Sequence, residues 1–84
     1  MDEELETMVS ADGRYRVTFC RSSGGFFTFV EDSWDVEDLR EFGGGIEEGW
    51  TPSHFSGLYA TEDDMRADAE GILPWLRRQG SSTP

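Results

Sequence analysis

A small two-layer α+β domain is the fold class this sequence predicts, with a three-stranded antiparallel sheet packed by a C-terminal helix. Three observations carry the prediction: an alternating segment at 14–21 followed by an aromatic, β-branched one at 26–31, the large apolar residues Trp50, Phe55, Leu58 and Tyr59 that suggest a strand near 54–59, and a capped amphipathic segment from Thr61 onward. All 84 residues are expected to form one acidic domain with flexible stretches at 1–10 and 79–84. A chain this short buries only roughly 60–65% of its unfolded surface, which allows one small core and leaves little room for a deep active-site cavity.

Residues 1–10 are acidic, with Leu5, Met8 and Val9 their only apolar members after Met1, and they read as a frayed lead-in or one loose turn. Asp12-Gly13 marks a turn. Residues 14–21 then alternate, placing Tyr15, Val17 and Phe19 on one face and Arg14, Arg16, Thr18 and Cys20 on the other. Ser22-Ser23-Gly24-Gly25 tolerates the positive φ of a tight turn, so 14–31 form a β-hairpin. In its second strand Phe27 and Phe29 share one face and Phe26, Thr28 and Val30 the other. Apolar groups on both faces place that strand centrally in the sheet.

Residues 33–42 fit two readings equally. One is a short helix capped by Ser33 or Asp35, with Val36, Leu39 and Phe42 recurring every third residue until Gly43-Gly44-Gly45 ends it; the other is a long acidic loop pinned by Trp34 and Phe42. The run 46–50 is too short to classify. A third strand is placed near 54–59, where Pro52 confines it to an edge or a strand start and Gly57 weakens it or marks a bulge. Thr61 is a good helix N-cap, with Asp64 in the capping-box position and Glu62 and Asp63 in the first turn. Met65, Ala69, Ile72, Leu73 and Leu76 then fall on one stripe, the expected buried face of a helix 62–73. Pro74 kinks or breaks it, and a short restart with Pro at its first position would send Leu76 towards the core and Trp75 to one side. Arg77 and Arg78 suit the negative end of the dipole, Gly80 is a C-cap, and 81–84 are expected to be disordered.

Aromatic residues at 13% and hydrophobic residues at 36% argue for a folded chain despite a net charge of −11. The charge is unevenly placed. Residues 31–70 hold thirteen of the eighteen carboxylates against Arg40 and Arg66 alone, and the acids and arginines elsewhere cancel. Such a field repels nucleic acid and anionic membrane and attracts basic protein surfaces by salt-dependent steering. No apolar run approaches a membrane span, the N-terminus is acidic where a secretory signal would be basic, and the single Cys20 suits a reducing compartment, so the expected location is the cytoplasm.

Sites for chemistry are sparse. His54 has no catalytic spacing to Cys20, and a strand cysteine is ordinarily an inert buried thiol. One Cys and one His make no zinc pattern, and 31–38 lack the glycine and terminal glutamate of a calcium loop. The three glycines are not followed by the Gly-Lys-Ser/Thr of a phosphate loop. No cofactor, metal or catalytic residue is therefore expected.

What remains is the carboxylate block, which costs stability by self-repulsion unless a basic partner offsets it. The expected function is non-enzymatic binding to a basic protein surface, such as that of a nucleic-acid-binding protein, through Glu31, Asp32, Trp34, Asp35, Glu37, Asp38, Glu41, Glu47, Glu48 and Trp50. A sharper version is a nucleic-acid mimic of the kind some phage-encoded inhibitors of restriction or CRISPR machinery use, an analogy of size and charge alone. The alternatives are an immunity protein or antitoxin masking a basic toxin, and an accessory domain whose charge serves solubility. Trp34, Phe42 and Trp50 suit interface anchors and core-closing residues equally. If the second sheet face stays open it presents Arg16, Thr18, Phe26 and Val30; the preferred expectation is that 31–50 fold back and cover it.

Overall fold

The computed structural model describes residues 2–80, and the expectation of disorder at 81–84 falls outside them. The chain runs β1 (Glu3–Val9), β2 (Tyr15–Arg21), β3 (Phe27–Asp38), a single 3-10 turn (Arg40–Phe42), β4 (Ile46–Phe55), α1 (Glu62–Ile72) and α2 (Pro74–Gly80). Small α+β architecture with an antiparallel sheet and C-terminal helix is as the sequence predicts. The sheet has four strands, however, ordered β1-β2-β3-β4 as a simple meander, where the sequence reading has three.

The extra strand is β1, formed by residues read as a lead-in. It pairs along β2 from Glu3↔Arg21 to Val9↔Arg16, turning Leu5 and Met8 towards the core, and a bulge between Glu4 and Glu6 shifts its register. The β2–β3 hairpin follows expectation. Its turn closes with Ser22 N–H on the Phe26 carbonyl at 2.7 Å, and Gly25 takes a φ of 86° that a side chain would resist.

Two assignments are corrected in the middle of the chain. Residues 33–38 are neither helix nor loop; they continue β3, because Trp34 and Val36 alternate with Asp35 and Glu37 and the whole stretch finds a partner in β4. The three-residue spacing of Val36, Leu39 and Phe42 survives only as the 3-10 turn, which Gly43 ends in the left-handed region at φ 82°. The strand placed near 54–59 lies earlier, at Ile46–Phe55, so only His54 and Phe55 of the predicted stretch belong to it, opposite Glu31 and Val30; beyond them Ser56 N–H bonds the Phe29 carbonyl at 3.0 Å and Tyr59 forms an isolated bridge with Phe27. Pro52 sits in this edge strand beside a bulge opposite Glu31 and Asp32, where a missing N–H is tolerated.

The helix begins as its cap predicts, with Thr61 Oγ1 accepting from Asp64 N–H at 3.1 Å. It ends at Leu73, which turns extended, and Pro74 opens α2. Met65, Ala69, Leu73 and Leu76 join Val17, Phe19 and Phe29 in the core, and Ile72 stays exposed. Trp75 is the correction on this face: it is buried in the core rather than set aside, stacked on Tyr15 with ring centroids 6.4 Å apart. Burial of Phe19 and Phe29, each nearly inaccessible, contributes roughly 1.5–3 kcal/mol apiece before the opposing chain entropy.

Candidate protein-binding ribbon

Strand register sorts the side chains into two faces. On the helix-covered face β3 places Phe27, Phe29, Glu31 and Ser33, with Asp35 and Glu37 further along; on the open face it places Thr28, Val30, Asp32, Trp34, Val36 and Asp38. Opposite partners on β4 share those faces. Trp50 faces Trp34, Glu48 faces Val36 and Ile46 faces Asp38 on the open side, and Gly49 faces Asp35 and Glu47 faces Glu37 on the other.

β2 starts at Tyr15, opposite Ser33, and the last backbone bond from that side is Trp34 N–H to the Arg14 carbonyl at 2.7 Å. Beyond it β3 and β4 have only each other. Residues 34–38 and 46–50 thus form a two-stranded ribbon projecting past the sheet, closed by Leu39 N–H on the Gly45 carbonyl at 2.8 Å. Residues 34–38 and 46–48 are all exposed, so neither layer covers the ribbon.

The expectation that 31–50 fold back over the open face is overturned, since the segment spends its backbone bonds extending the sheet. Trp34, Phe42 and Trp50 do not close the core either. Phe42 is 83% exposed and Trp34 42%, while Trp50 is half-buried against Trp34 in an edge-to-face pair with centroids 5.3 Å apart.

The ten residues proposed from sequence divide into two groups. Glu31 and Asp32 lie at the root and are engaged internally. Glu31 accepts from Trp75 Nε1–H at 2.8 Å and from Ser53 Oγ–H at 3.0 Å, so it ties β3 to α2 and β4. Asp32, only 6% exposed, accepts from Arg16 Nε and Nη2 at 3.1 and 2.9 Å, and that guanidinium lies over the Trp50 ring at 4.6 Å.

Asp35, Glu37, Asp38, Glu41, Glu47, Glu48, Trp34 and Trp50 all belong to the ribbon or its turn. Its six carboxylates meet one arginine, Arg40, which chelates Asp38 through Nη2 at 2.7 Å and Nε at 2.9 Å and holds that carboxyl below the usual carboxylate range. Among the described residues the other five form no ion pair. Glu37 and Glu47 stand directly opposite one another, an arrangement that like charges make unfavourable.

Further arginine pairs lie away from the ribbon, among them Arg21 on Glu3 and Arg66 on Glu6 and Glu62. Sequence reasoning missed the Arg16–Asp32–Trp50 stack and the Trp75–Glu31–Ser53 link, because each joins residues far apart in the chain and leaves no local pattern. It also missed a groove of about 420 Å³ between α2 and the sheet, lined by Tyr15, Glu31, Ser53, His54, Ile72 and Trp75 among others. His54 stacks there on Phe29 at 5.9 Å, on the face opposite that of Cys20, which pairs with Thr28; the two are not brought together. Burial and the nearby carboxylates of Glu4 and Asp2 push the Cys20 thiol up, away from the reactive thiolate. Among the described residues no helix is long and apolar enough to cross a membrane.

No protein family, curated protein or solved structure matches this chain.

Proposed function

We propose that the protein acts by stoichiometric binding, presenting the β3–β4 ribbon to a basic protein surface. The observation that carries this reading is the ribbon itself: a projecting two-stranded element with six carboxylates, a single arginine, and Glu37 set opposite Glu47 at a cost in stability that a cationic partner would relieve. Charge on such a rim raises the association rate and selects partners, while the exposed Trp34, Val36, Ile46 and Phe42 supply apolar contact area. Two kinds of partner fit: a basic toxin held inactive by its immunity protein, and a nucleic-acid-handling protein whose binding surface is masked.

The test is affinity capture from the native host at low salt, with the unaltered chain beside a Glu37→Gln, Glu47→Gln, Glu48→Gln variant. The expected result is a basic protein that the unaltered chain retains, that elutes steeply with salt, and that the variant fails to hold. Retention by both chains, or elution indifferent to salt, contradicts the proposal.

A further inference from the structure

Resting on the reading above, we infer that Trp34 is a stacking platform for an arginine side chain of the basic partner, so that the open face of the ribbon selects arginine over lysine. The molecule contains the same interaction internally. Arg16 lies 4.6 Å over Trp50 with its guanidinium bonded to Asp32, a cation held between an indole face and a carboxylate. One step outward on the same face the ingredients recur without the cation. Trp34 is 42% exposed, Val36 adjoins it two residues on, and Glu48, opposite Val36, carries a carboxylate with no ion pair among the described residues.

The occupant follows from the charge. A second copy of this chain brings its own net charge of −11, and nucleic acid and anionic lipid repel the ribbon for the same reason. An uncharged apolar partner would leave Asp38 and Glu48 at the rim of the contact without a counter-charge. A guanidinium meets both demands at once, because it is planar and weakly hydrated enough to lie on an indole while its edge donates to a carboxylate; a lysine ammonium is compact, strongly hydrated and stacks poorly.

The experiment is an NMR titration of the intact chain at low ionic strength with a short oligoarginine peptide and with an oligolysine peptide of equal length. Oligoarginine is expected to bind at least about threefold more tightly. It should move the Trp34 indole N–H resonance strongly and leave that of the core residue Trp75 in place. Trp34→Ala should remove the preference and keep the residual charge-driven binding, whereas Glu48→Gln should weaken both peptides. Because the peptide comparison is made on the unaltered chain, it stands whether or not the Trp34 variant folds well.

Equal affinity for the two peptides, a preference that persists in Trp34→Ala, or shifts centred on Trp75 would overturn the inference while leaving the charge-driven reading intact. Binding of neither peptide would overturn both.

Discussion

Glu31 and Glu37 lie six residues apart on the same face of β3, yet their surroundings give them opposite roles. Glu31 receives the Trp75 indole N–H and the Ser53 hydroxyl, so Glu31→Ala leaves a donor of a buried side chain unmatched and is expected to cost about 1–3 kcal/mol in urea unfolding. Glu37→Ala touches no internal partner and should stay within about 0.5 kcal/mol. Equal losses for the two variants would show that the Trp75 link carries no weight.

Tyr59 offers a second residue-level test. Its hydroxyl donates to the Asp68 carboxylate, and that bond, with some burial and the Asp68 charge, pushes the phenol up to about 12. Between the ordinary value of 10.0 and that value the folded chain keeps a proton the unfolded chain has lost. Its contribution to stability is therefore complete below the ordinary value and disappears as pH rises through about 12. Denaturation followed across that alkaline window should show this decline in the unaltered chain and a weaker one in Tyr59→Phe.

At the level of elements, what the sequence revealed depended on whether the deciding interactions were local. The helix was legible because Thr61, Asp64 and the Met65–Ala69–Leu73 stripe all lie within a few turns of one another. The β2–β3 hairpin was legible because its turn glycine and its alternation are contiguous. β1 and β4 were not. A bulge at Glu4/Glu6 and another opposite Glu31/Asp32 break the two-residue period by which strands are recognised, and Pro52 adds a further interruption. Residues 33–38 carried two periods at once, and only pairing with 46–50 decides between them.

The same pairing makes the candidate site visible, since the sequence separates Glu37 from Glu47 by a turn and the register sets them face to face. Glu47→Lys should therefore stabilise the free protein by about 0.2–1 kcal/mol in thermal unfolding, through conversion of a repulsive cross-strand pair into an attractive one. It should also slow association with a basic partner. Destabilisation by this substitution would mean the two side chains do not face each other.

On the scale of the whole molecule, the described chain is 47 Å long and 16 Å thick, and its apolar core lies under the helices, away from the ribbon. A two-stranded ribbon is marginal in water by itself, so its order derives from the ladder continuing into β2–β3, from the Trp34–Trp50 pair and from the Leu39–Gly45 closure. Against these stands the mutual repulsion of exposed carboxylates, which salt screens as the Debye length contracts from about 10 Å at 0.1 M to about 3 Å at 1 M. The ribbon should consequently open as a unit below the free energy of global unfolding.

Hydrogen exchange measures this directly. The Leu39 amide and its ribbon neighbours should exchange faster than the amides of β2, and added salt should slow the ribbon more than the core. Salt must then act in opposite senses on the free and bound protein, ordering the ribbon while weakening its attraction to a cationic surface. Ribbon amides as protected as those of β2, or protection indifferent to ionic strength, would mean that the carboxylates impose no strain for a partner to relieve.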